Sequence, residues 1–131
     1  MKQPDFDDDK YDGQTFAPFS IQDLRDSEGG DVRLIFGDWD WFRETHGEDT
    51  IDDYYFNGYG VQGLVQAARH KAGMEVMPDS INYNSEGDTC FIQFEDFEDA
   101  VKTANLSAEM INDGATLREM IAIAREHGYE D

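Results

Sequence analysis

Positive charge is scarce in this chain. Ten Lys and Arg stand against thirty Asp and Glu among 131 residues, for a formal net charge of −20 and an isoelectric point near 4.1. A field of that sign repels phosphates and anionic headgroups, so direct binding to nucleic acid or to an acidic membrane surface is not expected. It attracts basic partners and speeds their encounter. Cysteine is nearly absent: Cys90 is the only one, which excludes an intrachain disulfide. It lies in the apolar run TCFIQF, far from any histidine in sequence, and reads as a small buried hydrophobe. No run approaches the roughly 20 apolar residues of a membrane span. The opening MKQPDFDDDKYDGQ lacks the apolar core of a signal peptide, which makes the cytoplasm the expected compartment.

Catalytic signatures are missing as well. The chain contains no GxSxG, GxGxxG, P-loop or HExxH pattern, and carboxylates are too numerous for any one pair to be informative. His46, His70 and His127 are widely separated, the last two at expected helix ends where a cation suits the dipole. No enzymatic activity and no cofactor is expected. His46 with Glu48, Asp49 and Asp52 offers metal-ligand types, but at no spacing that defines a site. Asn82, Asn84, Glu86, Gly87 and Gln93 echo an EF-hand loop with neutral amides at both ends, and a hairpin turn explains the same residues without calcium.

The apolar content is ample for a core. With 39% hydrophobic and 13% aromatic residues, the chain is too apolar for a disordered acidic protein. Its length suits one domain that buries roughly two thirds of its unfolded surface. Residues 1–14, with five Asp and two Lys, read as a flexible acidic arm ahead of a single domain over 15–131.

Within that domain, residues 15–24 form a first strand, placed at an edge by Pro18. Residues 32–36 form a second, with Val32, Leu34 and Phe36 on one face, and the two can pair as a hairpin. Val61, Leu64, Val65, Ala68 and Ala72 have helical spacing, with Arg69, His70 and Lys71 near the end and Gly73 as the stop. SINYN and TCFIQFE read as strands around the turn SEGD. A helix follows behind Asp96, with Phe97, Ala100, Val101, Ala104 and Ala108 as its stripe. A last helix is opened by Thr116 and Glu119 as a capping box and stopped by Gly128, with Leu117, Met120, Ile121 and Ala124 inward. The order predicts an α+β domain: a mainly antiparallel sheet of four to five strands packed with about three helices.

The stretch GDWDWFRETHGEDTIDDYYFNGYG, residues 37–60, carries seven aromatics among seven carboxylates and one arginine. DWDWFRET alternates like a strand, TIDDYYF suits a helical turn capped by Thr50, and NGYG suits a bend into the next helix. Alternation alone can send the aromatics inward and the acids outward. A partner-binding surface explains both at once, because aromatic anchors dominate interfaces and flanking acids meet Lys and Arg. On that reading Trp39, Trp41, Tyr54 and Tyr55 are anchors, and Asp38, Asp40, Glu44, Asp52 and Asp53 steer and pair.

Over FNGYGVQGLVQAARHKAGMEVMPDSINYNSEGDTCFIQFEDFEDAVKTANLSAEMI, and more loosely from about residue 50, the chain resembles immunity proteins of bacterial polymorphic-toxin systems. The closest pattern is immunity protein family fifty-one. Its members carry a G-N-G-Y-D-W block entering a helix, followed by a strand pair with an acidic, aromatic middle and a further helix. Asn57, Gly58 and Tyr59 match the block, whereas Phe56, Gly60 and Val61 depart from it and the Trp is missing. The resemblance implies a small cytosolic antidote that binds a cognate toxin domain and blocks its active site or an essential surface. The charge separately suits a basic toxin, and nucleases are basic because they bind phosphate. The rival reading is an acidic mimic of nucleic acid that blocks a DNA- or RNA-binding protein. A mimic needs a regular double row of acids along an elongated face; a toxin interface needs a compact patch with an aromatic centre.

Overall fold

Strand alternation sets the architecture. In the computed structural model, which describes residues 1–28, 30–47 and 50–129, β3 (Val32–Phe36) buries Val32, Leu34 and Phe36, and β7 (Cys90–Phe94) buries Cys90, Ile92 and Phe94. The two pair antiparallel, so both sets face one side. β2 (Ser20–Asp23) adds Ile21, β6 (Ile81–Tyr83) adds Ile81, and with β1 (Tyr11–Asp12) the sheet runs β1-β2-β3-β7-β6, antiparallel throughout. β2 is shorter than the strand expected over 15–24 and is no edge, because β1 pairs on its other side. The buried side is covered by α2 (Gly58–Lys71) and α3 (Phe97–Ile111), and α4 (Gly114–His127) packs on those two helices. The fold is α+β as expected, with a fourth, shorter helix, α1 (Trp39–His46). No helix among the described residues is long and apolar enough to cross a membrane.

The long helices follow their stripes. Asp96 caps α3 by accepting the Glu98 amide at 3.0 Å. Leu117, Met120, Ile121 and Ala124 are the buried residues of α4, and Gly128 ends it at φ 73°. Its cap is Asp113 rather than Thr116: the Asp113 carboxylate accepts from the Ala115 amide and the Thr116 hydroxyl. The Thr116 hydroxyl, first among the causes, holds that carboxyl below its ordinary range. Cys90 is fully buried, and burial pushes its thiol up to about 12, in keeping with a packing role. Asn82 and Gln93, the ends of the EF-hand-like spacing, lie opposite each other on paired strands and share a 3.1 Å hydrogen bond.

Residues 1–14 depart from a free arm. β1 (Tyr11–Asp12) joins the sheet edge beside β2, Phe6 packs on Phe97 with ring centroids 6.2 Å apart, and the Lys2 amide donates to Asn105. Asp12 ties the segment together. Only 4% exposed, its carboxylate accepts from the Asp5, Gln14 and Thr15 amides at 2.8, 2.9 and 3.0 Å. Burial raises its pKa, but the Thr15 hydroxyl and those three amides outweigh it and hold the group at about 2 against an ordinary 3.8. A depressed carboxyl contributes stability that is present above its unfolded pKa and lost as pH falls through the folded value. Asp12→Asn is therefore expected to lower stability at neutral pH by roughly 2 kcal/mol. It should also flatten the loss between about pH 4 and 2, measured as the melting temperature against pH for both proteins.

Candidate functional site

The aromatic–acidic stretch divides into a helix and a hairpin. Asp38 begins α1 by accepting the Trp41 amide at 3.1 Å, and Gly47 ends it at φ 82° with its amide on the Arg43 carbonyl. DWDWFRET is thus helical, not extended: the N-cap and the left-handed stop outweigh the alternation. TIDDYYF is a small hairpin, β4 (Thr50–Ile51) against β5 (Tyr54–Tyr55), and not a helical turn. Asp52 and Asp53 form its two-residue turn at φ 53° and 65°, the mirror-image geometry that matches strand twist. NGYG is no bend: Asn57 caps α2 by accepting the Gly60 amide at 2.7 Å, so the helix starts three residues before Val61.

Trp39 joins distant segments. Its ring meets Phe36 edge-on at 4.9 Å, and its indole N–H donates to the Asp88 carbonyl at 2.8 Å. Phe42 is buried against Phe56 at 4.3 Å and His46 at 4.7 Å. His46 donates from Nε2 to the Ile111 carbonyl at 2.8 Å, a structural tie between α1 and α3. Glu48 and Asp49, which with it offer metal-ligand types in the sequence, lie outside the described residues; among the described ones no three His, Cys, Asp or Glu are grouped to hold a metal.

These contacts leave a cleft of about 410 Å³ where the start of α1, the β5 edge, the start of α2 and the β6–β7 turn meet. Asp38, Trp39, Asp40, Arg43, Tyr55 and Asp88 line it. Arg43 reaches Asp40 at 2.6 Å, with both side chains at least half exposed. Tyr55 is 62% exposed, an unusual display for so large a ring.

Of the nine residues expected to bind a partner, Asp38, Trp39, Asp40 and Tyr55 therefore come together. Glu44, Asp52 and Asp53 are exposed on neighbouring elements. Trp41 lines a separate groove with Tyr11, Pro18 and Ile35 on the other side of Asp38. Tyr54 is a correction: 1% exposed, it donates its hydroxyl to the Gly60 carbonyl at 2.5 Å and so packs the core. Adjacent residues on a strand point to opposite sides, so Tyr54 and Tyr55 cannot both anchor one surface. Asp88 is an addition that no local pattern indicates; it belongs to SEGD, read only as a turn, and reaches the cleft through a contact 49 residues away in sequence.

No protein-family model matches the chain, and comparison with curated proteins and with solved structures gives no match.

Proposed function

We propose that this protein is an immunity protein, an antidote that acts in the cytoplasm by binding a basic, nuclease-type toxin domain and occluding its active or substrate-binding surface. It performs no chemistry of its own. The observation that carries this reading is the cleft: an exposed Tyr55 and a half-buried Trp39 beside the carboxylates of Asp38, Asp40 and Asp88. Buried or half-buried aromatics surrounded by charge are how interfaces concentrate binding energy and set partner choice. The grouping is compact, unlike the extended double row that a mimic of nucleic acid requires. The net charge of −20 adds long-range attraction for a basic partner.

The test is mixing with the toxin domains encoded beside this gene. A stoichiometric complex and loss of toxin activity are expected; no binding to, and no inhibition of, any of them overturns the reading. The association rate should also fall, by about tenfold or more, as salt rises from low to several tenths molar, because charges beyond a Debye length are screened. A rate indifferent to salt removes electrostatic steering from the account.

A further inference from the structure

The cleft has two opposing electrostatic contributions. The N-termini of α1 and α2 both open onto it, at Asp38 and at Asn57. Each helix end contributes about half a positive charge, and Arg43 contributes one more. Against these stand three carboxylates, those of Asp38, Asp40 and Asp88. The negative side wins locally, within a chain that is negative throughout.

The carboxylates are not used up internally. Asp40 is paired with Arg43. Asp38 Oδ1 accepts from the Trp41 amide, and Asp88 Oδ1 accepts from the Thr89 hydroxyl at 3.2 Å. The second oxygen of Asp38 and of Asp88 has no protein partner among the described residues. The wall beside them is aromatic: Tyr55 is largely exposed, and the Trp39 indole is fixed by its bond to the Asp88 carbonyl. An aromatic face next to free carboxylate oxygens suits a planar, delocalised cation, which stacks on the ring and donates in its own plane. An ammonium fits less well, because it is more strongly hydrated and has no face to stack.

We infer that this cleft is a receptor for an arginine side chain of the partner protein, with the guanidinium between Asp38 and Asp88 and over the Tyr55 ring. The inference rests on the antidote reading and deepens it by naming the chemistry that the bound surface of the toxin presents. A toxin surface that binds phosphate is rich in such side chains, so one occupied cleft would withdraw an arginine from substrate contact.

The probe is N-acetyl-arginine methylamide, titrated while amide and indole resonances are followed by NMR. Its neutral isostere, the citrulline derivative, and its lysine counterpart are titrated alongside. Saturable shifts are expected at the Trp39 indole, Tyr55 and Asp88, with the citrulline probe at least about tenfold weaker and lysine between the two. Asp88→Asn and Tyr55→Ala should each weaken the arginine probe about threefold or more while the remaining spectrum overlays that of the parent. Both side chains are solvent-facing, so loss of folding does not confound them. Shifts scattered over the acidic surface, or equal for arginine and citrulline, overturn the inference. Saturable binding of inorganic phosphate at the same amides also overturns it, since the helix ends would then dominate. A neighbouring toxin bound equally well by both variants overturns the arginine site and leaves the antidote reading standing; arginine binding with no toxin bound does the reverse.

Discussion

Arg69→Ala should destabilise this protein by about 3–5 kcal/mol, the cost typical of leaving one partner of a buried ion pair alone. Arg69 lies in the last turns of α2, where a basic residue ordinarily complements the helix dipole from solvent. Here it is 2% exposed. Its Nη1 donates to Asp99 at 2.6 Å and to the Thr103 hydroxyl at 2.7 Å, while Nε and Nη2 reach the Glu75 carbonyl at 3.1 and 2.6 Å. One guanidinium thus ties α2 to α3 and to the segment leading into β6. Truncation strands the Asp99 carboxylate, whose side chain is only 17% exposed, and leaves the Glu75 carbonyl without its donors. Domains of this kind are stable by about 5–15 kcal/mol, so the variant keeps a fold but with little margin. A melting temperature lower by roughly 10–20 °C, measured by circular dichroism, is the expected result. Arg69→Met with Asp99→Leu should recover the part of the loss owed to the stranded Asp99 carboxylate, because an apolar pair needs no partner, but not the part owed to the Glu75 carbonyl, which loses its donors in either variant. A change under about 1 kcal/mol for Arg69→Ala would show that the network is not formed in solution.

Gly58→Ala should be comparably damaging for a steric reason. The position is helical and has no positive φ, so glycine is not there for conformational freedom. It is there because a Cβ would lie 1.8 Å from the Glu86 carbonyl oxygen and 2.5 Å from that of Thr89. Both are backbone atoms of the β6–β7 turn, which cannot rotate away as a side chain does. The Gly58 amide also donates to the Gly87 carbonyl at 3.1 Å. Overpacking a well-filled site costs about 1–3 kcal/mol, and more where backbone must move. We expect about 3 kcal/mol or above, read from urea unfolding. The same shift moves Asp88, and with it the cleft wall that Trp39 holds. Gly87→Ala is the internal control: no heavy atom lies within 4 Å of its Cβ position, and its effect should stay within about 0.5 kcal/mol. Equal effects at the two positions would contradict the packing described.

The central strands and the long helices were legible because their patterns are local, whereas the sheet edge was not: β1 comes from residues read as an arm, and it displaces β2 from the edge. β3 and β7 alternate strictly, the inner face of α4 is the apolar set its spacing indicates, and Asp96 caps where a cap belongs. Between residues 37 and 60 two signals competed. Alternating tryptophans suggested a strand, while Asp38 before and Gly47 after them marked a helix, and the helix formed. Asp-Asp turned the β4–β5 hairpin without the glycine that usually announces such a turn. Residues 1–14 looked unanchored because their acids outnumber their apolar groups. Yet Asp12 is satisfied by backbone amides, an arrangement invisible to composition. The cleft was half legible. Its aromatic and acidic character could be read along one stretch, but Asp88 enters only through tertiary contact, and Tyr54 leaves it because strand alternation turns it inward, where its hydroxyl donates to the Gly60 carbonyl.

The claim that the cleft face meets the partner is tested most directly by hydrogen exchange on the complex with a neighbouring toxin domain. Slowed exchange is expected at residues 37–43, 54–57 and 86–89, the segments that wall the cleft. The solvent-facing side of the sheet and the exposed surface of α4 should be unchanged. Protection confined to those latter surfaces, with the cleft segments exchanging as in the free protein, would contradict the account.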